Sequence, residues 1–270
     1  MIWTILILII AIAMFLFGAN VLGNTGKGET LTQKCINLVA IILVAGCMVR
    51  LVTPYYLTTV NPMILQEMAN GYQEQQAAEK NKAIRKAVKS GAAAMMADAP
   101  ILGNVDAKKT IFVWTDFSCP YCRRVHGELE KVLKERDDVR IVVKNFSIHG
   151  DLSDAPARAV IAAKIPDNGK AAALVSSLMS KEYYSQDDMK DRSKLGAKVK
   201  ANVLKMAKEA GLDVKQLETD MEGEVVTREL ANVRGMAQEF EINGTPFLII
   251  NEKAFPGAIP YKSIVDALDK

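Results

Sequence analysis

Apolar residues along this chain change their spacing several times, and each change marks a different kind of segment. From Ile2 to Phe17 there is no charged residue, and the apolar character continues weakly to Leu22. A helix over residues 1–22 would be about 33 Å long at ~1.5 Å per residue, enough for a hydrocarbon core of ~30 Å. A second apolar run, Cys35–Val52, carries one charge, Arg50, which can snorkel toward headgroups; Pro54, Tyr55 and Tyr56 follow as an interfacial boundary. The pattern predicts transmembrane helices at 1–22 and 35–57 joined by a short loop, 23–34, the alternatives being a cleaved signal peptide for the first and a buried helix of a soluble domain for the second. Lys27 and Lys34 outweigh Glu29 in that loop. By the positive-inside rule the loop is cytoplasmic and everything beyond the second span lies outside.

From residue 61 to 97 the apolar stripe thins to Ile64, Leu65, Met68, Tyr72, Ile84 and Val88, set among strong helix formers. One helix with so narrow a stripe cannot bury it unaided. The segment is expected to be a helical stalk that either lies on the following domain or, the preferred reading, joins copies of the chain into a homo-oligomer. Residues 98–108 read as a linker, with Asp98-Ala99-Pro100 and Gly103-Asn104 as turn signals.

The pattern then becomes that of an α/β domain over 109–270. Lys109–Ser118 reads as a strand, Cys119–Arg136 as a helix buried through Val125, Leu129, Val132 and Leu133, and Val139–Ile148 as a second, interior strand. Strand, helix, strand implies a right-handed crossover and a parallel pair. Helical periodicity fills an insertion at about 154–239, after which two short strands around Asn251-Glu252 form a hairpin and a final helix closes the chain.

Composition narrows the function classes. At 270 residues the chain suits one domain with accessories, and its formal charge of +3 comes from 34 basic residues interspersed with 31 acidic ones. No basic block exists to track a phosphate backbone, so a nucleic-acid partner is not expected. Of the four cysteines, Cys35 and Cys47 fall in the second apolar run and read as small membrane residues, whereas Cys119 and Cys122 stand at a motif spacing in Cys-Pro-Tyr-Cys.

Such a pair can be half of a metal site, a structural disulfide or a redox centre. A structural zinc needs four ligands; the domain has no second cysteine pair, so both of its histidines, His126 and His149, would have to join this one. A redox centre is therefore expected, with no metal and no cofactor. Cys119 at a helix N-terminus meets the unpaired amides of the first turn, which favour a thiolate, and Cys122 lies one turn on, within reach for a disulfide. In this reading Cys119 attacks and Cys122 resolves. Arg123, Arg124 and His126, on the turn that follows, read first as a solvated helix face and second as a source of positive potential.

The strand entering Cys119-Pro120-Tyr121-Cys122, the helical insertion, and Gly244-Thr245-Pro246 entering a strand together resemble the DsbA-like branch of the thioredoxin superfamily; within it, the segment 73–88 before Pro100–Ile111, followed by Cys119–Arg124, most resembles the ScsC and Com1 type of bacterial envelope disulfide oxidoreductase. The resemblance implies a thioredoxin-like fold with a helical insertion. It implies that Cys119 is the exposed nucleophile and Cys122 the buried partner of a redox disulfide. Pro246 would be a cis-proline packed against that disulfide, and the Thr245 backbone would bind a substrate strand. Pro120 and Tyr121 would tune the potential. The family's usual buried acid, six residues before the first cysteine, is replaced here by Val113. Asp116, expected on the opposite strand face, and Glu128 are the weak candidates to take the proton, and His126 is a further weak candidate for the site.

The resulting expectation is a membrane-anchored thiol-disulfide oxidoreductase or isomerase of the bacterial inner membrane, its catalytic domain facing the periplasm. Its partners would be cysteine-containing exported proteins, a membrane redox partner and the lipid bilayer. The alternative is an accessory subunit whose thioredoxin-like domain holds or caps a partner in a membrane assembly.

Overall fold

The computed structural model of the chain describes residues 62–270 continuously, with a few helical positions between Val39 and Thr53. The spans expected at 1–22 and 35–57, and the loop 23–34, lie outside the described residues apart from those positions. Among the described residues no helix is long and apolar enough to cross a membrane.

Helix α1, Pro62–Met96, opens with Met63, Met68 and Tyr72 largely exposed. From Lys80 onward the helix docks on the domain. Ile84 is fully buried, the Asn81 side chain accepts a hydrogen bond from Ala254 N at 2.9 Å, and Lys80 Nζ donates to Glu241 O at 3.0 Å. Residues 98–108, expected as a linker, carry strand β1, Ile101–Gly103. Three residues are too few for an alternation to show in sequence; the strand is set by pairing, with Ile101 N donating to Asn168 Oδ1 and Ile101 O accepting from Asn168 Nδ2. Gly103 has φ +81°, and a Cβ there would lie 2.6 Å from Leu133 Cδ2.

Strands β2, Lys109–Thr115, and β3, Val139–Asn145, run parallel in register from Lys109 opposite Val139 to Thr115 opposite Asn145. Helix α2, Pro120–Glu135, makes the crossover. Both strands stop three residues short of the expected ends at Ser118 and Ile148, because the chain beyond them turns into side-chain hydrogen bonds instead of a ladder. The hairpin is β4, Phe247–Ile250, and β5, Lys253–Pro256, with Asn251 and Glu252 both at positive φ, as a two-residue hairpin turn requires. The sheet order is β1-β3-β2-β4-β5, with only the β2–β3 pair parallel.

Between β3 and β4 lie α3, Asp154–Lys164, α4, Asn168–Ser180, α5, Arg192–Glu209, α6, Val214–Met221, and α7, Glu224–Glu239; α8, Tyr261–Leu268, closes the chain. Strand alternation divides the core in two. Ile111, Val113, Ile141, Val143 and Leu248 pack under α2, α3, α4 and α8. Phe112, Trp114, Val142, Phe247 and Ile249 pack under α1 and α7. On that second face Trp114 meets Phe240 and Phe247 edge-on at 5.9 and 6.2 Å.

Candidate active site

Strand β2 delivers its last residues to the C-terminal edge of the sheet, where the chain turns into α2. Cys119 is the N-cap of that helix, with extended backbone, and Pro120 occupies the first helical position, where its missing N–H costs no hydrogen bond. Both cysteines are free thiols. Cys119 is 6% exposed and Cys122 0%. The expected contrast between an exposed and a buried cysteine is thus small in area, because the Thr245 loop covers Cys119: its Sγ lies 3.6 Å from Thr245 O. The Thr245–Pro246 peptide is cis. The turn at Asn243-Gly244 thereby brings Thr245, Pro246 and both thiols to one edge of the sheet.

Cys122 sits in an apolar wall. Burial pushes its thiol up to about 12, against the opposing pull of the Asp116 amide and the Thr115 and Thr245 hydroxyls. The Asp116 amide donates to Cys122 Sγ at 3.5 Å. The Cys122 thiol is therefore protonated at neutral pH and would have to lose a proton to act as a nucleophile.

Asp116 is poorly suited to take such a proton through its carboxyl group. The group is buried, and burial works to raise its pKa, but hydrogen bonds from the Ile148 amide, Ser153, Ser118 and His149 outweigh this and hold it below the usual carboxylate range. Ser118 Oγ and Ser153 Oγ lie 2.8 and 2.7 Å from Oδ1, and Ile148 N and His149 Nδ1 lie 2.8 and 2.9 Å from Oδ2. The carboxylate is an anchor that ties the cysteine loop to the segment after β3. Its placement past the end of β2 replaces the expected strand face. Glu128 is also unsuited to the proton, since both its oxygens accept from Lys131 at 3.1 Å on the surface.

The residues after the motif are not one solvated face. Tyr121 is exposed, with the Arg124 guanidinium 5.5 Å from its ring centre. Arg123 is a clamp: Nε donates to Phe117 O at 3.2 Å and Nη1 to Lys181 O at 2.9 Å, over the Tyr183 ring, joining the motif to the end of α4. His126 is only 6% exposed and lies against the same small void as Cys122.

Sequence reasoning missed two polar features. The first is the Asp116–His149 contact, which brings together residues 33 apart. The second lies on the opposite face of the sheet, where Lys144 and Glu229 are fully buried and paired at 2.5 Å, and Lys144 Nζ also donates to Met95 O at 2.8 Å at the end of α1. Lys144 follows the apolar run Ile141-Val142-Val143 of a strand expected to be interior, and that was the available signal.

The family model described as Thioredoxin matches residues 95–270. Among solved structures, a thioredoxin-like oxidoreductase from Silicibacter pomeroyi is 33% identical, with 64% of this chain covering 91% of that one at a TM-score of 0.55. Proteus mirabilis ScsC in a transitional conformation is 25% identical, with 82% of this chain covering 94% of that one at a TM-score of 0.56. Among curated relatives, a Na(+)/H(+) antiporter NhaA 1 of Mycolicibacterium gilvum is 29% identical over 174 residues, 63% of this chain. The chain spans only 26% of that relative's length.

Proposed function

The chain belongs to the thioredoxin family, and on that premise we propose that it is a DsbA-like protein thiol-disulfide oxidoreductase working through Cys119 and Cys122. One observation carries this reading: two free thiols one helical turn apart at the start of α2, with Cys119 Sγ 3.6 Å from the carbonyl that precedes a cis-proline. Cys119 attacks a substrate disulfide, the Thr245 backbone holds the substrate strand, and Cys122 displaces the product from the mixed disulfide. Pro120 and Tyr121 set the potential; neither supplies a positive charge, so a less extreme oxidant than DsbA is expected.

The substrates are cysteine-containing exported proteins, and the setting is the periplasmic side of a bacterial inner membrane, with residues 1–22 and 35–57 as anchors and a membrane redox partner exchanging electrons with the pair. The exposed Met63, Met68 and Tyr72 of α1 support a role for residues 61–97 in self-association. A purely scaffolding domain is not favoured, since it has no need of two free thiols beside the cis-proline.

The test is equilibration of the full-length chain with glutathione buffers. A Cys119–Cys122 pair that oxidises and reduces reversibly supports the reading, and its potential gives the direction: near −120 mV it donates disulfides, near about −270 mV it reduces them. Failure of Cys119 to form any mixed disulfide sinks the reading.

A further inference from the structure

The redox reading leaves one step without a residue. When Cys122 attacks the mixed disulfide it must release a proton into a buried, apolar wall; Val113 fills the place of the expected acid, Asp116 is saturated by donors, and Glu128 is paired at the surface. Along α2, Cys122, His126 and Glu130 recur at intervals of four and so share one face of the helix. Exposure rises along that face: Cys122 is fully buried, the His126 side chain is 8% exposed and that of Glu130 38%.

Cys122 and His126 both line a void of about 10 Å³, whose remaining wall is apolar apart from Thr115. That is about the room of one water, which Cys122, Thr115 and His126 would bond. His126 Nε2 is buried without a well-aligned hydrogen-bond partner, although Glu130 Oε1 stands 3.3 Å away. Burial, against the opposing pull of Glu130, lowers the imidazole pKa, so the ring is neutral at physiological pH and free to accept a proton. Apart from Cys122 and His126, the groups lining this void are not titratable; the one charge facing the imidazole is Glu130.

We propose that His126 is the proton acceptor for Cys122 in the resolving step, with Glu130 as the positioning residue that stabilises the imidazolium and leads the proton to solvent. This rests on the redox reading above. In that step the Cys122 thiol proton passes through one water to His126, and Cys122 Sγ attacks Cys119 Sγ. The Cys119–Cys122 bond forms, the bond from Cys119 to the substrate sulfur breaks, and the substrate sulfur leaves as a thiolate that is protonated from solvent. The cysteine pair loses two electrons and the substrate disulfide gains them. In the reverse direction the imidazolium protonates the departing Cys122 thiolate.

The experiment uses the reduced full-length chain and oxidised glutathione, following release of the first glutathione, which reports attack by Cys119, and of the second, which reports resolution by Cys122. His126→Gln is expected to slow the second release about a hundredfold at pH 7 and leave the first unchanged. In the wild-type chain the second rate should stay nearly level between about pH 6.5 and 8.5, because the base is already neutral there. A second release within about threefold of wild type in His126→Gln overturns the proposal. So does a wild-type rate climbing about tenfold per pH unit, which is hydroxide-driven loss of the thiol proton, and this reading needs no variant to fold. Absence of any first release in the wild type overturns the redox reading itself, an outcome distinct from both.

Discussion

The two faces of the central sheet treat buried polarity in opposite ways. On the face under α2, the wall around Cys122 is apolar apart from hydroxyls, an imidazole and a backbone amide, and the consequence is a thiol kept protonated. On the face under α1 and α7, Lys144 and Glu229 bring a paired amine and carboxyl group into the core, and Lys144 also binds the last turn of α1 through Met95 O. Lys164 adds a bond to Met96 O at 3.1 Å, so two lysines from the domain satisfy carbonyls at an α1 terminus that carries no basic residue of its own. Residues 113 and 114 are neighbours in β2 yet belong to these two worlds, because successive strand side chains point opposite ways. One face is set up for reactivity and the other for holding α1 in place.

The largest expected effect comes from breaking the charged face. Lys144→Met or Glu229→Met singly should cost about 3–5 kcal/mol in urea unfolding, because each leaves a buried charge without its partner, while the double replacement should recover most of the loss. Alkylation of Cys119 in the folded protein should be unchanged, which would separate the faces; single variants within about 1 kcal/mol of wild type would contradict a desolvated pair.

Asp116→Asn comes next, at about 2 kcal/mol, from the loss of charge-assisted hydrogen bonds. The folded-state pKa of Asp116 is depressed below the ordinary 3.8. Its contribution is therefore present above that value and lost as pH falls through the folded pKa; the variant should flatten the acid limb of stability, seen in urea midpoints from pH 5 downward.

A smaller effect separates the thiol. The pKa of Cys122 is raised from 9.0 to about 12, so its contribution is intact below pH 9.0 and declines as pH rises toward 12. Reduced wild type should lose roughly 1 kcal/mol per pH unit above pH 9 relative to Cys122→Ala, measured by unfolding under reducing conditions. The smallest effect is at the rim: Arg85→Ala removes an exposed contact with Glu252 at 3.2 Å and should change stability by less than about 0.5 kcal/mol.

Much of the active site was readable from short-range pattern. An apolar run ending in Cys-Pro-Tyr-Cys already implies a strand feeding a helix N-terminus, and β2 ends at Thr115 with α2 starting at Pro120; the Thr245–Pro246 peptide is cis. Arg123 and His126 were read first as a solvated face because helical spacing at the edge of an amphipathic stripe is ambiguous; the end of α4 half-buries Arg123 and the wall of β2 and β3 buries His126, and both arrive from elsewhere in the chain. Strand β1 escaped notice because three residues carry no period, and its existence depends on the side chain of Asn168.

The sequence by itself determined the period of each segment, the helix start at Cys119, the absence of an acid at position 113 and the spacing of the two thiols, because these depend on residues a few places apart. Only the tertiary structure decided which polar groups would share a space: Asp116 with His149, Lys144 with Glu229, and Cys122 and His126 against one void between α2 and the sheet. Pairings of that kind depend on how distant segments fold onto one another, and the free energy of burying a charge or a thiol is defined only once those segments have excluded water.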